Sequence, residues 1–190
     1  MKKFTTLSRQ RPPVEASAHA PLYQGKYLSV VNVDSWEAVD EADCVIILPY
    51  FPEFGEFLLR REVVPTYQAK TNQEKFLTVI SGSIKPGEEP TDALARELEE
   101  EAGIRLGSSY RSFKLLNKLF FSKGNLAQYH IYFVPLHVGE FQKFAPRGDG
   151  SQAEANSTTI RVDTKYLDSL KVSDTITALS LEYLKKELGN

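Results

Sequence analysis

The sequence predicts an α/β fold: a mixed β-sheet sandwiched between helices, with a small N-terminal β segment. Two observations point there. Short apolar runs bounded by turn residues recur through most of the chain, as strands do. They are interrupted once by a compact helical stretch rich in glutamate, residues 91–102, and closed by an amphipathic segment, 174–188. Strands, a helix, more strands and a terminal helix suit layers of helix on both faces of one sheet.

At 190 residues the chain has the length of one domain, and its 42% hydrophobic content is enough for a core. We divide it into a flexible segment, 1–22, and a single domain, 23–190, with 23–43 as its N-terminal strands. Residues 1–22 are polar and carry Pro12, Pro13 and Pro21, so extended or disordered chain is expected. Lys26–Val33 and Ser35–Val39 read as two strands joined near Asp34. Cys44–Leu48 is an apolar run with β-branched residues, hence a buried strand, and Pro52–Gly55 turns the chain into a partner strand, Glu56–Glu62. A polar loop follows over 66–75, then a strand at Phe76–Ile80. Tyr110–Phe121 and Leu126–Val138 read as long strands across the turn Ser122–Asn125. A long loop, 139–157, precedes a last strand, Thr158–Val162; loops of that length are usually functional or mobile. The terminal helix has Ser173 as its candidate cap and Gly189 as its stop.

A formal net charge of −2 argues against a dedicated nucleic-acid or membrane surface. No apolar run approaches the roughly 20 residues a membrane helix needs. The N-terminus carries no apolar signal region, and the single cysteine, Cys44, fits a reducing compartment. A cytoplasmic protein is therefore expected. His19, His130 and His137 have no ligand-like spacing.

The glutamate-rich stretch carries the chemistry. Thr91 is suited to cap the helix, Asp92 suits its positive end, and Gly103 suits the left-handed position that ends it. At about 100° per residue, Leu94, Ala95, Leu98 and Ala102 share a core-facing side. Glu97 and Glu101, four residues apart, stack on an adjoining strip with Glu100 beside them. Like charges at that spacing cost about 0.2–0.5 kcal/mol per pair. Converging carboxylates without cysteine or histidine suit a hard cation, Mg²⁺ or Mn²⁺, rather than Zn²⁺. The same glutamates also fit a solvated acidic helix face, and the helix alone does not choose between these.

The wider pattern does. Gly82, five residues, Glu88, seven residues, then Arg96-Glu97-Leu98-any-Glu100-Glu101-any-Gly103-Ile104 resembles the Nudix box at every specified position. The box spans 23 residues, and the rest of the chain is similar in outline to ADP-ribose pyrophosphatase-like Nudix proteins. The resemblance implies a Nudix fold and hydrolysis of a nucleoside diphosphate derivative, a small-molecule nucleotide. By position, it implies Glu97 and Glu101 as metal ligands and Glu100 as a third ligand or water activator. It adds the carbonyl of Ser81 as a ligand, with Gly82, Glu88 and Arg96 as the support that holds loop against helix. A base from the loop after the box is implied, with Glu154 first and Glu140 second. A homodimer that exchanges the 23–43 strands is also implied.

Two departures concern the substrate. Thr78 and Ile80 stand where ADP-ribose hydrolases usually carry a Glu-x-Pro stretch, and Val63 stands near a phosphate-contacting arginine. Arg60 and Arg61 lie slightly earlier, and strand alternation lets one of them face the site; both are candidate substrate-binding residues. ADP-ribose or a nucleotide sugar is the leading substrate. The alternatives are a nucleoside triphosphate or dinucleotide, or a catalytically silent nucleotide-sensing module.

Overall fold

A computed structural model describes residues 21–147 and 156–189. Residues 1–20, which hold most of the expected N-terminal segment, and Glu154 lie outside the described residues. The described residues separate into two compact units, residues 21–41 with 122–126, and residues 42–121 with 127–147 and 156–189.

The smaller unit is an antiparallel sheet of β1 (Tyr23–Gln24), β2 (Leu28–Val33) and β3 (Trp36–Glu41). Asp34 makes the turn between β2 and β3 at φ 54°, a left-handed conformation that a short polar side chain tolerates. Residues 122–126 bind the edge of this sheet. The Val39 amide donates to Gly124 O at 2.8 Å, and the Leu126 amide donates to Val39 O at 2.9 Å. Asn125 Nδ2 donates to Glu41 Oε1 at 2.6 Å.

The larger unit is built on β4 (Cys44–Phe51), the middle strand of a mixed sheet. The other strands are β5 (Glu56–Glu62), β6 (Phe76–Thr78), β7 (Ile80–Ser83), β9 (Lys114–Phe120), β10 (Gln128–Pro135) and β12 (Thr158–Asp163). Their order is β12-β5-β4-β10-β9, with β6 added to β5 and β7 to β4. β4 and β10 are parallel, and the other pairs are antiparallel. A separate ribbon pairs β8 (Ile104–Leu106) with β11 (Phe141–Lys143). Among the described residues, the α-helices of the unit are α1 (Pro65–Gln68), α2 (Pro90–Ala102) and α3 (Thr175–Leu188), and a 3-10 helix spans Thr164–Ser169.

Strand alternation divides the core into two layers. Val45 and Ile47 of β4, with Leu58, Ile80, Tyr132 and Val134, pack on Leu94, Leu98 and Ala102 of α2. Ile46 and Leu48, with Phe57, Leu59, Ile131 and Phe133, pack on Ile176, Leu181 and Leu184 of α3. One strand thus feeds both faces, because successive side chains point opposite ways. This is the expected α/β/α sandwich. Among the described residues, no helix is long and apolar enough to cross a membrane.

Several local expectations shift. The polar loop after β5 contains the single helical turn α1, which Pro65 opens at its first position, where a missing N–H costs nothing. The strand from Phe76 is interrupted at Val79, whose amide donates to Thr177 Oγ1 of α3 at 3.2 Å. Asp174, not Ser173, caps α3 by accepting from Thr177 N at 2.7 Å. The long loop after β10 holds β11, whose partner is the short strand that directly follows α2.

Candidate active site

The helix α2 begins two residues earlier than a Thr91 cap would have it, with Glu89 rather than Thr91 at the N-cap position. Pro90 occupies the first turn, and Glu89, extended at φ −74° and ψ 144°, precedes it without a side-chain cap. Proline has its φ set for a helix and has no amide to satisfy there. At the other end Gly103 adopts φ 64° and its amide returns to Glu99 O and Leu98 O, as a left-handed stop requires. Ala93, Leu94, Leu98 and Ala102 are buried, and so is Glu97.

Arg96 ties the preceding loop to the helix. Its Nε donates to Glu88 Oε1 at 2.9 Å and its Nη2 to Glu88 Oε2 at 3.0 Å, a bidentate pair. Nη2 also donates to the Ser83 carbonyl at 2.8 Å, and the Lys85 amide donates to Glu88 Oε2 at 2.9 Å. The Arg96 hydrogen bonds hold the Glu88 carboxyl at about 2, well below its ordinary value of 4.5. A carboxyl depressed on folding stabilises the fold above its unfolded pKa and loses that contribution as pH falls through its folded pKa. Wild-type stability is therefore expected to decline between pH 4.5 and about 2, and a Glu88→Gln variant should show a shallower decline in that window. Chemical denaturation at stepped pH measures it; parallel curves for the two proteins would refute the linkage.

The same guanidinium gathers the box carboxylates. Its Nη1 contacts Glu97 Oε1 directly and lies 3.2 Å from Glu100 Oε2. Gly82, on β7, lies against the Glu97 side chain so closely that a Cβ there would stand 1.9 Å from its carboxylate carbon. The glycine is thus required by close approach. In Gly82→Ala the flexible end of Glu97 can swing aside at modest cost in stability, but its carboxylate then leaves its place. If Glu97 holds the cation that the sequence pattern implies, activity should drop roughly 10- to 100-fold, the cost usual for disturbing the support of a metal ligand, with a small change in melting temperature. Steady-state kinetics beside calorimetry checks this; unchanged activity would reject the role of the close contact.

Glu101 faces a different cation. Arg60 of β5 is 3% exposed, and its Nη1 sits 2.6 Å from Glu101 Oε1. The other carboxylate oxygen, Oε2, is buried and accepts no hydrogen bond. Burial pushes the Glu101 carboxyl above its ordinary range; Arg60 pulls it down, and nearby Glu97 and Glu62 raise it further. One guanidinium thus undercompensates this group. Arg60 Nε also lies 3.4 Å from Glu62 Oε2, and Thr78 Oγ1 donates to Glu62 Oε1 at 2.7 Å. Thr159 Oγ1 of β12 donates to the Glu101 carbonyl at 3.1 Å, fastening the end of the helix to the sheet.

These residues fit a hard divalent cation by their chemistry. They offer oxygen donors only, one buried carboxylate oxygen awaiting a partner, and an excess of negative charge around Glu101. Among the described residues, no three acidic, histidine or cysteine groups yet surround one point. The reason is visible: Arg96 draws Glu97 and Glu100 to itself, while Arg60 draws Glu101.

The remaining candidates are placed as follows. Ser81 lies on β7 next to Gly82, paired with Ile46. Arg61 is exposed whereas Arg60 is buried, which is the one-in, one-out alternation expected of neighbours on a strand. Glu140 is exposed and its carbonyl accepts from the Gly107 amide at 3.0 Å. Glu62 joins the cluster with no role expected from the sequence, and Thr78, which the sequence marks only as a departure from the family pattern, orients it. The signal was available: Glu62 is two residues from Arg60, hence on the same strand face, and β5 pairs Arg60 with Thr78.

A profile described as the NUDIX domain matches residues 41–156. No protein of curated function matches the sequence significantly. A crystal structure of an "ADP compounds hydrolase" superposes with a TM-score of 0.65 at 17% identity, covering 90% of this chain and 91% of that one; that likeness speaks to the fold. The domain match covers more than half of the chain and includes every described glutamate and arginine of the helix and its supporting loop: the chain belongs to the Nudix family, as a pyrophosphohydrolase acting on small nucleotide substrates.

Proposed function

We propose that this enzyme hydrolyses the pyrophosphate bond of a nucleoside diphosphate derivative, ADP-ribose or a nucleotide sugar, with the help of Mg²⁺ or Mn²⁺. The products are a nucleoside monophosphate and a sugar phosphate. The observation that carries this reading is the buried, undercompensated Glu101 beside Glu97. Glu97, Glu101, Glu100 and the Ser81 carbonyl would hold the cation. When bound, the cation neutralises pyrophosphate and makes water a better nucleophile.

The chain's own residues supply the rest. Gly82 leaves the room in which Glu97 sits. Glu88 and Arg96 keep the loop and the carboxylates in register, a supporting role worth about 10- to 100-fold in metal enzymes. Arg60 brings buried positive charge next to Glu101, where the substrate's phosphates would arrive; Arg61, exposed, retains a place only at the outer rim. Glu154 is the assigned base, taking the proton of the attacking water as the bridging P–O bond breaks. The preference for ADP compounds draws support from the name of the structural relative.

A panel of nucleotides with Mg²⁺, products identified by mass, tests the substrate. AMP and a sugar phosphate from ADP-ribose support the reading. Preference for triphosphates or dinucleotides would replace the substrate, and tight binding without turnover would favour a sensing module. Exposed Tyr23, Tyr27 and Trp36 on the smaller unit support a homodimer formed through the 23–43 strands. A monomeric profile in solution scattering at micromolar protein would reject it. The lone cysteine supports a cytoplasmic location.

A further inference from the structure

Arg60 has two carboxylates and engages them unequally. Its Nη1 is 2.6 Å from Glu101, a full ion pair. Its Nε is 3.4 Å from Glu62 Oε2, buried, and makes no hydrogen bond. Guanidinium carries five N–H donors, so a buried Nε without an acceptor is a donor held in reserve. Glu62 is aimed at it. Thr78 Oγ1 occupies Glu62 Oε1 at 2.7 Å and so leaves Oε2 facing Arg60.

A cation that takes Glu101 meets the guanidinium already there. Two positive centres on one buried carboxylate repel, and Arg60, at 3% exposure, is largely shielded from water. Glu62, anchored by Thr78 and more accessible than Glu101, is the acceptor within reach. Closing 3.4 Å to a charge-assisted distance of about 2.8 Å needs a shift of less than about 1 Å.

We propose that Arg60 is a displaceable counter-ion: its guanidinium holds Glu101 in the cation-free enzyme and passes to Glu62, oriented by Thr78, when a divalent cation takes Glu101. Glu62 and Thr78 are then positioning residues, acting through Arg60. The inference rests on the metal reading above and adds a coupling to it: the energy of the Arg60–Glu101 pair opposes cation binding, and Glu62 returns part of it. A residue that only fills space would not affect cation affinity in a direction set by its charge.

The test is Mn²⁺ binding to the full chain, followed by the electron paramagnetic resonance of free Mn²⁺, with melting temperatures taken with and without the ion. Arg60→Met removes the competitor, so Mn²⁺ should bind about tenfold tighter and raise the melting temperature more than in wild type, a coupling of ordinary size. Glu62→Gln keeps the size and the Thr78 hydrogen bond but weakens the alternative acceptor, so Mn²⁺ should bind about five- to tenfold more weakly. Effects of opposite sign support the exchange. Equal or weaker binding by Arg60→Met overturns it, and should that variant fail to fold, unchanged binding by Glu62→Gln overturns it alone. Absence of Mn²⁺ binding in wild type overturns the metal reading itself and the exchange with it.

Discussion

A Glu101→Gln enzyme should fold as well as wild type and hydrolyse its substrate on the order of 10²- to 10³-fold more slowly, the loss expected when one electrostatic contact to a transition state is removed. The fold is spared because the amide is isosteric and its Oε1 can still accept from Arg60. It also brings no charge to desolvate, whereas burial already disfavours the charged form of Glu101. Arg60 keeps Glu62 at 3.4 Å as a counter-charge, so no buried cation is left alone. Activity falls because a neutral amide is a poor ligand for a hard cation, and stabilisation of the transition state is what sets the rate. Rates over a range of Mg²⁺ concentrations, beside calorimetry, decide the matter. Full activity in Glu101→Gln would remove this residue from the metal assignment. A collapsed melting temperature would instead make Glu101 a structural residue.

Gly103→Ala should be the most destabilising substitution at a box position, by at least about 3 kcal/mol. Two penalties coincide. The left-handed conformation at φ 64° costs a non-glycine residue about 1–3 kcal/mol. A Cβ there would also stand 2.2 Å from the Phe144 carbonyl oxygen. That oxygen is backbone, so no rotamer change relieves the clash. The segment cannot simply retreat, because the Phe144 amide donates to the Gly103 carbonyl at 2.7 Å. For a domain of this size, 3 kcal/mol corresponds to a melting temperature lower by roughly 6–12 °C. Displacing residue 103 also disturbs the register of Ile104–Leu106 with Phe141–Lys143, and Glu101 lies only two residues away. Calorimetry measures the loss; a drop below about 1 kcal/mol, less than the left-handed conformation alone should cost, would show that the contact yields.

Much of the active helix is legible in the sequence because its determinants are local. Helical spacing places Leu94, Ala95, Leu98 and Ala102 on one side; Leu94, Leu98 and Ala102 are buried, whereas Ala95 is half-buried and Ala93 takes the buried place instead. Gly103 ends the helix as its composition suggests. The Arg96–Glu88 pair joins neighbours across one short loop. Capping was less legible. Thr91 and Ser173 have the right chemistry, yet Pro90 and Asp174 open their helices, because helix ends depend on backbone direction as well as on residue type.

By itself, the sequence determined the α/β class, the box and its acid-bearing helix, since periodicity and spacing act over a few residues at a time. Tertiary structure alone decided which arginine turns inward, that Arg60 rather than a neighbouring helical residue meets Glu101, and that Glu62 and Thr78 complete the cluster. Those contacts follow from strand register: β5 sets Arg60 opposite Thr78 on one side and Thr159 on the other, and Thr159 holds the end of α2. A slip of one residue would exchange Arg60 for Arg61 on that face, and register is chosen by the packing of the whole core.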